Sequence, residues 1–217
     1  MLSRRIEVGE AIELQGPDGK RFLSEIIDID KKTLSIEAIR EVETPLESKL
    51  KITIFQALIK EQPLDFIIQK STELGVAKLC LFHAENSVER FKEIDKKLAR
   101  WKKISEEATK QSGRVRPIEI EYLDSDVKLE ELLKQQEFVF LLDPPSDETL
   151  ARTWASNTQV ESIGILIGPE GGFTDQELHD FSKNKNVVPI NMGPRILRAD
   201  TAVISSSAII QSLWGDM

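Results

Sequence analysis

The chain has almost none of the residues that form disulfides and transition-metal sites. Its 217 residues include one cysteine, Cys80, and two histidines, His83 and His179. A single cysteine excludes an intramolecular disulfide, and the apolar, strand-like run around Cys80 favours a buried core thiol over a catalytic nucleophile. Cys80 and His83 provide half of a zinc-binding spacing, and no second pair follows. We therefore expect no metal site.

Long apolar runs are also missing. No stretch reaches the roughly 20 apolar residues that a membrane-spanning helix requires, and residues 1–5 lead into alternating sequence without a secretory leader. We therefore expect a cytoplasmic protein with no membrane partner. The length permits one large domain, or a small domain followed by a medium-sized one.

Positive charge is scarce overall but locally concentrated. The formal net charge of −8 argues against a nucleic-acid partner, yet ten lysines and arginines and four acids lie between Arg90 and Arg116. On a helix predicted over 93–111, the expected buried stripe is Ile94, Leu98, Trp101, Ile104 and Ala108. Another face carries Lys96, Arg100, Lys103 and Lys110. That face could contact RNA phosphates, or it could be a solvated surface with ordinary charge pairs.

The apolar pattern divides the chain near residue 47. Residues 6–42 read as short strands joined by turns, which predicts a small β module. Beyond a connector at 43–48, strand-like and helix-like runs alternate, and this alternation predicts a mainly parallel sheet with helices on both faces. The predicted runs are 51–59, 63–74, 77–82, 93–111, 117–122, 128–135, 138–142, 147–156, 163–167, 174–184, 187–190 and 200–214.

Two glycine-proline loops near the C-terminus are the most informative motifs. The first, Gly168–Phe173, follows an apolar run and precedes Thr174–Glu177, which has the pattern of a capping box. The second, Gly193–Ala202, follows a shorter strand and precedes a last helix, for which Asp200 or Thr201 is the expected N-cap. Two such turns would form a pocket at the carboxyl ends of parallel strands, where open α/β sheets bind ligands.

Glycine in these loops allows a positive φ and lets a ligand approach backbone amides. A small polar ligand is therefore expected, and tight turns without a ligand are the alternative. The second loop favours the ligand because it carries Arg195, Arg198 and Asp200. Neither loop has the glycine spacing of a P-loop or of a Rossmann dinucleotide site, which disfavours a phosphate-binding α/β enzyme.

Four ordered motifs carry a resemblance to a known family. They are Lys70–Val76, Gln111–Arg114, Gly168–Phe173 and Gly193–Ala202. On these motifs the chain resembles the bacterial 16S ribosomal RNA uridine N3-methyltransferases, a family of the SPOUT superfamily of S-adenosylmethionine-dependent RNA methyltransferases.

The resemblance implies an α/β fold with two domains. Residues 1–46 would form a small PUA-like β-barrel that binds RNA and is incomplete at its start, because relatives generally carry another strand ahead of it. Residues 47–217 would form the SPOUT methyltransferase domain, with a C-terminal trefoil knot and a homodimer contact. The implied partner is 16S ribosomal RNA within the small ribosomal subunit.

The resemblance also implies where the cofactor, S-adenosyl-L-methionine, binds. Backbone groups of the two loops and of the strand end at 141–144 would hold it in the knot. The implied cofactor-binding residues are Leu141, Leu142, Ile167, Gly168, Pro169, Glu170, Gly171, Gly172, Met192, Gly193, Ile196, Leu197, Arg198, Thr201 and Ala202.

Methylation of uridine N3 requires no protein nucleophile, because the ring nitrogen attacks once its proton has left. The enzyme has to align N3 with the methyl group and stabilise the uracil anion. Arg198 is the candidate for the second task, with an ion pair as its alternative role. Glu170 and Asp200 are candidate proton acceptors; a loop-fixing carboxylate and a helix cap are the respective alternatives. Candidate RNA contacts are Arg4, Arg5, Lys60, Lys70, Arg114 and Arg195. A surface ion pair is the alternative for Lys60, Lys70 and Arg114, and shaping of its own loop is the alternative for Arg195.

Two positions depart from the family's usual residues. Asp200 stands where glutamate is common, so its carboxylate reaches one methylene less far. Asn86 stands where arginine is common, which removes a cation that could touch RNA, and Arg90 is a possible substitute. A SPOUT enzyme with a different base target and a catalytically silent RNA-binding relative are the alternative functions.

Overall fold

The computed structural model describes residues 6–16, 19–43, 47–88, 91, 93–142 and 160–217. The chain divides into two compact units, Met1–Glu47 and Ser48–Met217. The predicted helix at 147–156 and the candidate RNA contacts Arg4 and Arg5 lie outside the described residues, as does Arg90.

The first unit contains a three-stranded antiparallel sheet in the order β1-β2-β3. Its strands are β1 (Ala11–Gln15), β2 (Arg21–Ile29) and β3 (Leu34–Val42). The register of β2 against β3 shifts twice, between Leu23 and Ser24 and between Ile26 and Asp28, and such bulges increase the local twist of a strand pair. The β module that the turn signals predict is thus confirmed as an antiparallel sheet.

The second unit is built on a six-stranded sheet in the order β6-β5-β4-β8-β7-β9, and every strand pair in it is parallel. The strands are β4 (Lys51–Ala57), β5 (Lys78–Phe82), β6 (Glu119–Leu123), β7 (Phe138–Leu142), β8 (Ser162–Ile167) and β9 (Val187–Ile190). The described helices are α1 (Glu61–Glu73), α2 (Ile94–Ser112), α3 (Asp126–Lys134), α4 (Asp175–Ser182) and α5 (Ala199–Trp214). The predicted parallel α/β architecture is confirmed.

The apolar core lies on both faces of this sheet. Because strand side chains alternate in direction, Ile52 and Ile54 of β4 join one cluster, whereas Phe55 and Ala57 join the other. The first cluster includes residues of α1, α2 and α5, and the second includes Leu129 of α3, with residues of α4 packed against it. Helices therefore cover both faces, as predicted.

Helix α2 buries the face that its periodicity predicts. Trp101 and Ala108 are buried, and Ile94, Leu98 and Ile104 pack against the first cluster. Two of the four cations on its charged face are paired, because Arg100 bonds Glu61 and Asp65 of α1, and Lys96 bonds Glu93. The interpretation of ordinary charge pairs is therefore correct for Lys96 and Arg100.

Two further features concern the single cysteine and the apolar character of the helices. Cys80 is fully buried, as predicted for a core thiol, and burial raises the pKa of its thiol to about 12. None of the helices that the structure describes combines the length and the apolar character that a bilayer crossing requires.

Candidate functional site

The carboxyl ends of four neighbouring strands lie at one edge of the parallel sheet. Leu142, the last residue of β7, pairs with Ile167 at the end of β8 and with Ile190 at the end of β9. Gln56, next to the end of β4, also pairs with Ile167. Because the two glycine-proline loops follow β8 and β9, they leave the sheet at the same edge, on either side of β7.

The two loops form opposite parts of one cavity of about 310 Å³, here called the loop cavity. The sequence-based expectation of a pocket between them is confirmed. The lining residues are Ile59, Pro63, Leu142, Ile167, Gly168, Pro169, Glu170, Gly172, Phe173, Ile196, Leu197, Arg198, Ala199, Asp200 and Ala202. A smaller cavity of about 60 Å³ adjoins it, since Leu142, Leu197 and Ala202 line both, and Met192 and Gly193 line the smaller one.

Three of the residues implied to bind the cofactor lie in neither cavity. Leu141 is buried in the sheet, Gly171 is exposed, and Thr201 is exposed on the first turn of α5. Conversely, Ile59 and Pro63 line the loop cavity and were not predicted, whereas Phe173 and Ala199 belong to the predicted loops without being among the implied cofactor-binding residues. The signal that could have identified Ile59 and Pro63 is the position of β4, whose carboxyl end reaches the same sheet edge.

Gln56 fixes the first loop to the sheet. Its side chain is completely buried, and Nε2 donates to the carbonyls of Ala57 at 2.8 Å and Gly168 at 3.2 Å. Its Oε1 is buried without a hydrogen-bond partner among the described residues. Sequence reasoning missed this residue, although a glutamine inside the apolar run 52–59 is the kind of exception that marks a buried polar contact.

Asn86 holds the same loop from its other side. Its Nδ2 donates to the carbonyls of Gly172 at 3.1 Å and Gly171 at 3.4 Å. A Cβ on Gly171 would approach the Asn86 Cβ to 3.2 Å, and Gly172 has a φ of +71°, so both glycines suit their positions. Asn86, at a position where the resemblance implies arginine, thus has a structural contact in this chain.

The predicted capping box at the end of the first loop is confirmed. The Thr174 hydroxyl accepts from the Glu177 amide at 3.3 Å, and the Glu177 carboxylate accepts from the Thr174 amide at 2.8 Å. Glu177 also accepts from the Glu85 amide at 2.9 Å, which ties α4 to the turn that carries Asn86. Phe173 stacks on Phe82 with a centroid distance of 6.3 Å.

The second loop ends differently from the prediction. Helix α5 begins at Ala199 with Arg198 as its N-cap residue, and no side chain caps it. The prediction that Asp200 or Thr201 is the cap is wrong, because both residues lie inside the first turn. There the Asp200 carboxylate accepts from the Thr201 amide at 2.8 Å, and an acid in a first turn is favoured by the helix dipole.

The three candidate catalytic residues all line the loop cavity. The Arg198 side chain is 79% exposed, and its Nε lies 3.8 Å from the Asp200 carboxylate, whose side chain is 21% exposed. Glu170 is exposed, and its Oε1 accepts from the amide of Lys60, the N-cap of α1, at 3.4 Å. The structure thus brings Arg198, Asp200 and Glu170 to one site.

The four candidates for RNA contact that the structure describes differ in their surroundings. Lys60 and Arg195 are exposed. Lys70 bonds both oxygens of Glu73 at 2.8 and 2.9 Å. Arg114 donates from Nη1 to one carbonyl in the last turn of α1, that of Thr72, and to one just beyond the helix, that of Val76, each at 2.9 Å. RNA contact by all four stays a prediction.

Comparisons with known proteins agree with this architecture. The family of the RNA methyltransferase domain matches residues 46–211. The ribosomal RNA small subunit methyltransferase E of Aquifex aeolicus is 31% identical over 210 residues, which cover 96% of this chain and 88% of that protein. The protein of the same name from Rickettsia conorii is 32% identical and covers 96% of this chain, which spans 83% of it.

The similarity extends to solved structures. The crystal structure of a ribosomal RNA small subunit methyltransferase E from Neisseria gonorrhoeae, bound to S-adenosyl methionine, has a TM-score of 0.85. It is 29% identical in sequence, and the match covers 98% of this chain and 86% of that one. The resemblance carried by the four motifs is confirmed, and the chain belongs to the RNA methyltransferase domain family.

Proposed function

We propose that the protein transfers the methyl group of S-adenosyl-L-methionine to N3 of a uridine in 16S ribosomal RNA of the small ribosomal subunit. One observation carries the proposal: the two glycine-proline loops of an RNA methyltransferase domain meet in the loop cavity, at the carboxyl ends of four parallel strands. The names of the relatives from Aquifex and Rickettsia support the substrate class.

The residues of the loop cavity fit the proposed cofactor. The volume of the loop cavity lies at the lower end of the range of about 300–1,000 Å³ for small-molecule sites. Leu142, Ile167 and Leu197 offer apolar walls, and a Cβ on Gly193, whose φ is +104°, would have no atom within 4 Å. Backbone groups of the loops can therefore approach a nucleoside closely. When bound, the cofactor supplies an electrophilic methyl group on a sulfonium sulfur.

Arg198 is proposed to stabilise the uracil anion. Its Nε lies 3.8 Å from Asp200, which is long for a hydrogen bond, so the exposed guanidinium keeps donors for a second partner. A guanidinium beside a base carbonyl offers charge-assisted hydrogen bonds that strengthen as the oxygen gains charge. The substrate oxygen, rather than Asp200, would then be the main partner of Arg198 during turnover.

Asp200 and Glu170 are the two proposed proton acceptors. The Asp200 side chain is the more enclosed and already accepts from the Thr201 amide, a bond that keeps its carboxylate oriented. Glu170 accepts from the Lys60 amide, which supports a loop-fixing role as well as a chemical one. Separate Asp200→Asn and Glu170→Gln variants distinguish them, because loss of the acceptor lowers kcat at an unchanged cofactor affinity.

The finer architecture of the family is part of this proposal. We propose a C-terminal trefoil knot, a PUA-like barrel that contains β1–β3 over residues 1–46, and a methyltransferase domain over residues 47–217. The antiparallel first sheet supports the barrel. Partly buried Ile204, Ala208 and Ile209 and the 46%-exposed Leu213 of α5 support a homodimer contact there. Action on ribosomal RNA would place the protein in the cytoplasm.

Six basic residues are the proposed RNA contacts. We propose that Arg4, Arg5, Lys60, Lys70, Arg114 and Arg195 contact the RNA backbone. The exposure of Lys60 and Arg195 supports direct phosphate contact, whereas Lys70 and Arg114 would add a charge from side chains that already have protein partners.

Two measurements test the proposed function. The cofactor should raise the melting temperature of the protein, because a ligand that binds only the folded state stabilises it. Small ribosomal subunits from cells that lack the native enzyme should then acquire a methyl group at uridine N3, detected by mass spectrometry of the digested RNA. A methyl group on another base would establish the alternative target. Cofactor and RNA binding without transfer would establish a silent relative.

A further inference from the structure

A second space, here called the α1 groove, adjoins the loop cavity. Its volume is about 610 Å³, and it is lined by five residues of α1, by Ile104 of α2, and by Arg198 and Asp200. Pro63, Arg198 and Asp200 line both spaces, so the candidate catalytic residues stand at their common boundary. A group that enters the α1 groove reaches the loop cavity past Arg198.

Phe66 is the unusual residue of this groove. It is 45% exposed, and it is the one aromatic residue among the exposed large apolar side chains in the described part of the chain. The ammonium of Lys70, one turn further along α1, lies 5.8 Å from the ring centroid. Proteins that bind single-stranded nucleic acids use exposed aromatic rings beside cations, because every base can stack on such a ring.

Two side-chain amides flank this ring. Gln62 and Gln69 lie four residues before and three residues after Phe66, which places all three on one face of α1. Both glutamines are exposed, and neither amide forms a side-chain hydrogen bond with another residue that the structure describes. Each amide offers a donor and an acceptor, which is the chemistry needed to bond the edge of a pyrimidine.

Two acids line the groove, and each has a cation beside it. Asp65 is held by the Arg100 guanidinium through two bonds of 2.8 and 2.5 Å, so its charge is compensated on the spot. Asp200 has the Arg198 guanidinium 3.8 Å away, and the Lys70 ammonium near the Phe66 ring is paired with Glu73. The charges around Phe66 are thus paired within the protein, and it is the open ring with its two flanking amides that favours a nucleobase.

We propose that the α1 groove binds the unstacked target pyrimidine of a single-stranded RNA segment. Phe66 stacks on the base, and Gln62 and Gln69 bond its edge, while Arg198 reaches the carbonyl that gains charge. Continuity with the loop cavity supports a substrate rather than a second protein chain, because the reacting nitrogen has to come within about 3–3.5 Å of the methyl donor. The inference rests on the proposed function for the identity of the base.

The test is a photocrosslink combined with binding measurements. The probe is a short single-stranded oligouridylate that contains one 4-thiouridine, and irradiation of the full-length protein should attach it to the peptide that contains Phe66. Phe66→Ala should abolish that crosslink and weaken binding of the oligouridylate about tenfold, because base stacking on an aromatic ring contributes about that factor or more. Phe66→Trp keeps a stacking ring and should restore both.

A matched control separates stacking from a general loss of apolar surface. Val127 of α3 is 67% exposed and lies outside both spaces, so Val127→Ala should bind the oligouridylate like the unchanged protein. All variants should bind the cofactor equally and should have equal masses by light scattering. If Phe66→Ala instead changes the oligomeric mass, the groove is a protein contact and the proposal is wrong.

The outcomes for the base site and for the proposed function can be told apart. A protein that crosslinks through α1 but transfers no methyl group to small ribosomal subunits would support the base site and contradict the proposed function. A protein that methylates the subunits, while its crosslinks lie outside α1 and Phe66→Ala leaves the KM for RNA unchanged, would overturn the base site alone.

Discussion

The amide of Asn86 donates to the carbonyl of Gly172 at 3.1 Å, and this bond joins two segments that are 86 residues apart in the chain. A second bond to the Gly171 carbonyl, at 3.4 Å, strengthens the same link. On the opposite side Gln56 bonds the Gly168 carbonyl. The first loop is thus positioned by two side chains that bond its backbone carbonyls.

Asn86→Ala is expected to weaken cofactor binding more than it weakens the fold. The variant loses two hydrogen bonds, each of about 1 kcal/mol, so the affinity for S-adenosylmethionine should fall by about fivefold to about 25-fold. Titration calorimetry measures the affinity, and urea unfolding measures the stability. Gln135→Ala, at an exposed helix end on α3, is the control. Equal affinities for Asn86→Ala and the control would contradict the role of Asn86.

Gln56→Glu is expected to destabilise the protein in a pH-dependent way. The charged carboxylate would face the carbonyls of Ala57 and Gly168 in a fully buried position, which costs several kcal/mol near neutral pH. Burial raises the pKa of such a group, so the deficit should be small below about pH 4 and grow as the pH rises through the unfolded pKa. Urea unfolding at a series of pH values measures it. Gln56→Met, which buries no charge, should show no such trend.

Arg198→Ala is expected to impair chemistry more than binding. Loss of a donor aimed at a developing oxyanion lowers kcat by about 10²- to 10³-fold, whereas the largely exposed side chain contributes little to the fold. Single-turnover methyl transfer to small ribosomal subunits measures the rate, and thermal shift with S-adenosylmethionine reports the cofactor site. Lys185→Ala, an exposed cation in the loop after α4, is the control. Turnover that survives in Arg198→Ala would remove this residue from the chemistry.

Cys80 is expected to resist alkylation in the folded protein. The thiol is fully buried, and burial raises its pKa to about 12, so almost no thiolate exists near pH 8. Iodoacetamide should leave the native chain unmodified and should label it fully in concentrated urea, as read from intact mass. Rapid labelling of the native protein at the same rate as in urea would show that β5 opens to solvent.

Glu61 is expected to contribute stability that disappears in acid. Hydrogen bonding by Lys97, together with the charges of Lys97 and Arg100, lowers the pKa of Glu61 below its ordinary value. The contribution is therefore present above the unfolded pKa and is lost as the pH falls through the folded one. Since the carboxylate is 40% exposed, we expect about 1 kcal/mol or less. Glu61→Gln should flatten the loss of stability between about pH 5 and about pH 3 in urea unfolding.

Much of the fold follows from local patterns. Strands β7 and β9 have the predicted bounds, and the capping box at Thr174 and Glu177 forms as expected, because apolar periodicity and caps depend on neighbouring residues. The error at Asp200 has a local cause too. Helix α5 starts one residue earlier than predicted, at Ala199, and an acid suits the first turn as well as the cap.

The contacts that position the site could not be predicted in this way. Gln56 bonds a carbonyl 112 residues later in the chain, and Asn86 bonds carbonyls 85 and 86 residues later. Their partners are backbone oxygens, which every residue type carries, so the partner segment contains no sign of the bond. The α1 groove was missed for a different reason, since Phe66 and Arg198 are far apart in the chain and approach one space only in the folded domain.

Arg198 and Asp200 belong to the walls of both spaces, so neither space can be filled without restricting side chains that the other one uses. Two ligands that share walls are thermodynamically linked. If the first ligand changes the affinity for the second by some factor, the second changes the affinity for the first by the same factor. Under the proposed function, an RNA base would therefore alter the retention of the methyl donor as much as the donor alters the retention of RNA. After transfer the same linkage acts on the spent cofactor and the methylated base, and it makes their departure a coupled event rather than two independent ones.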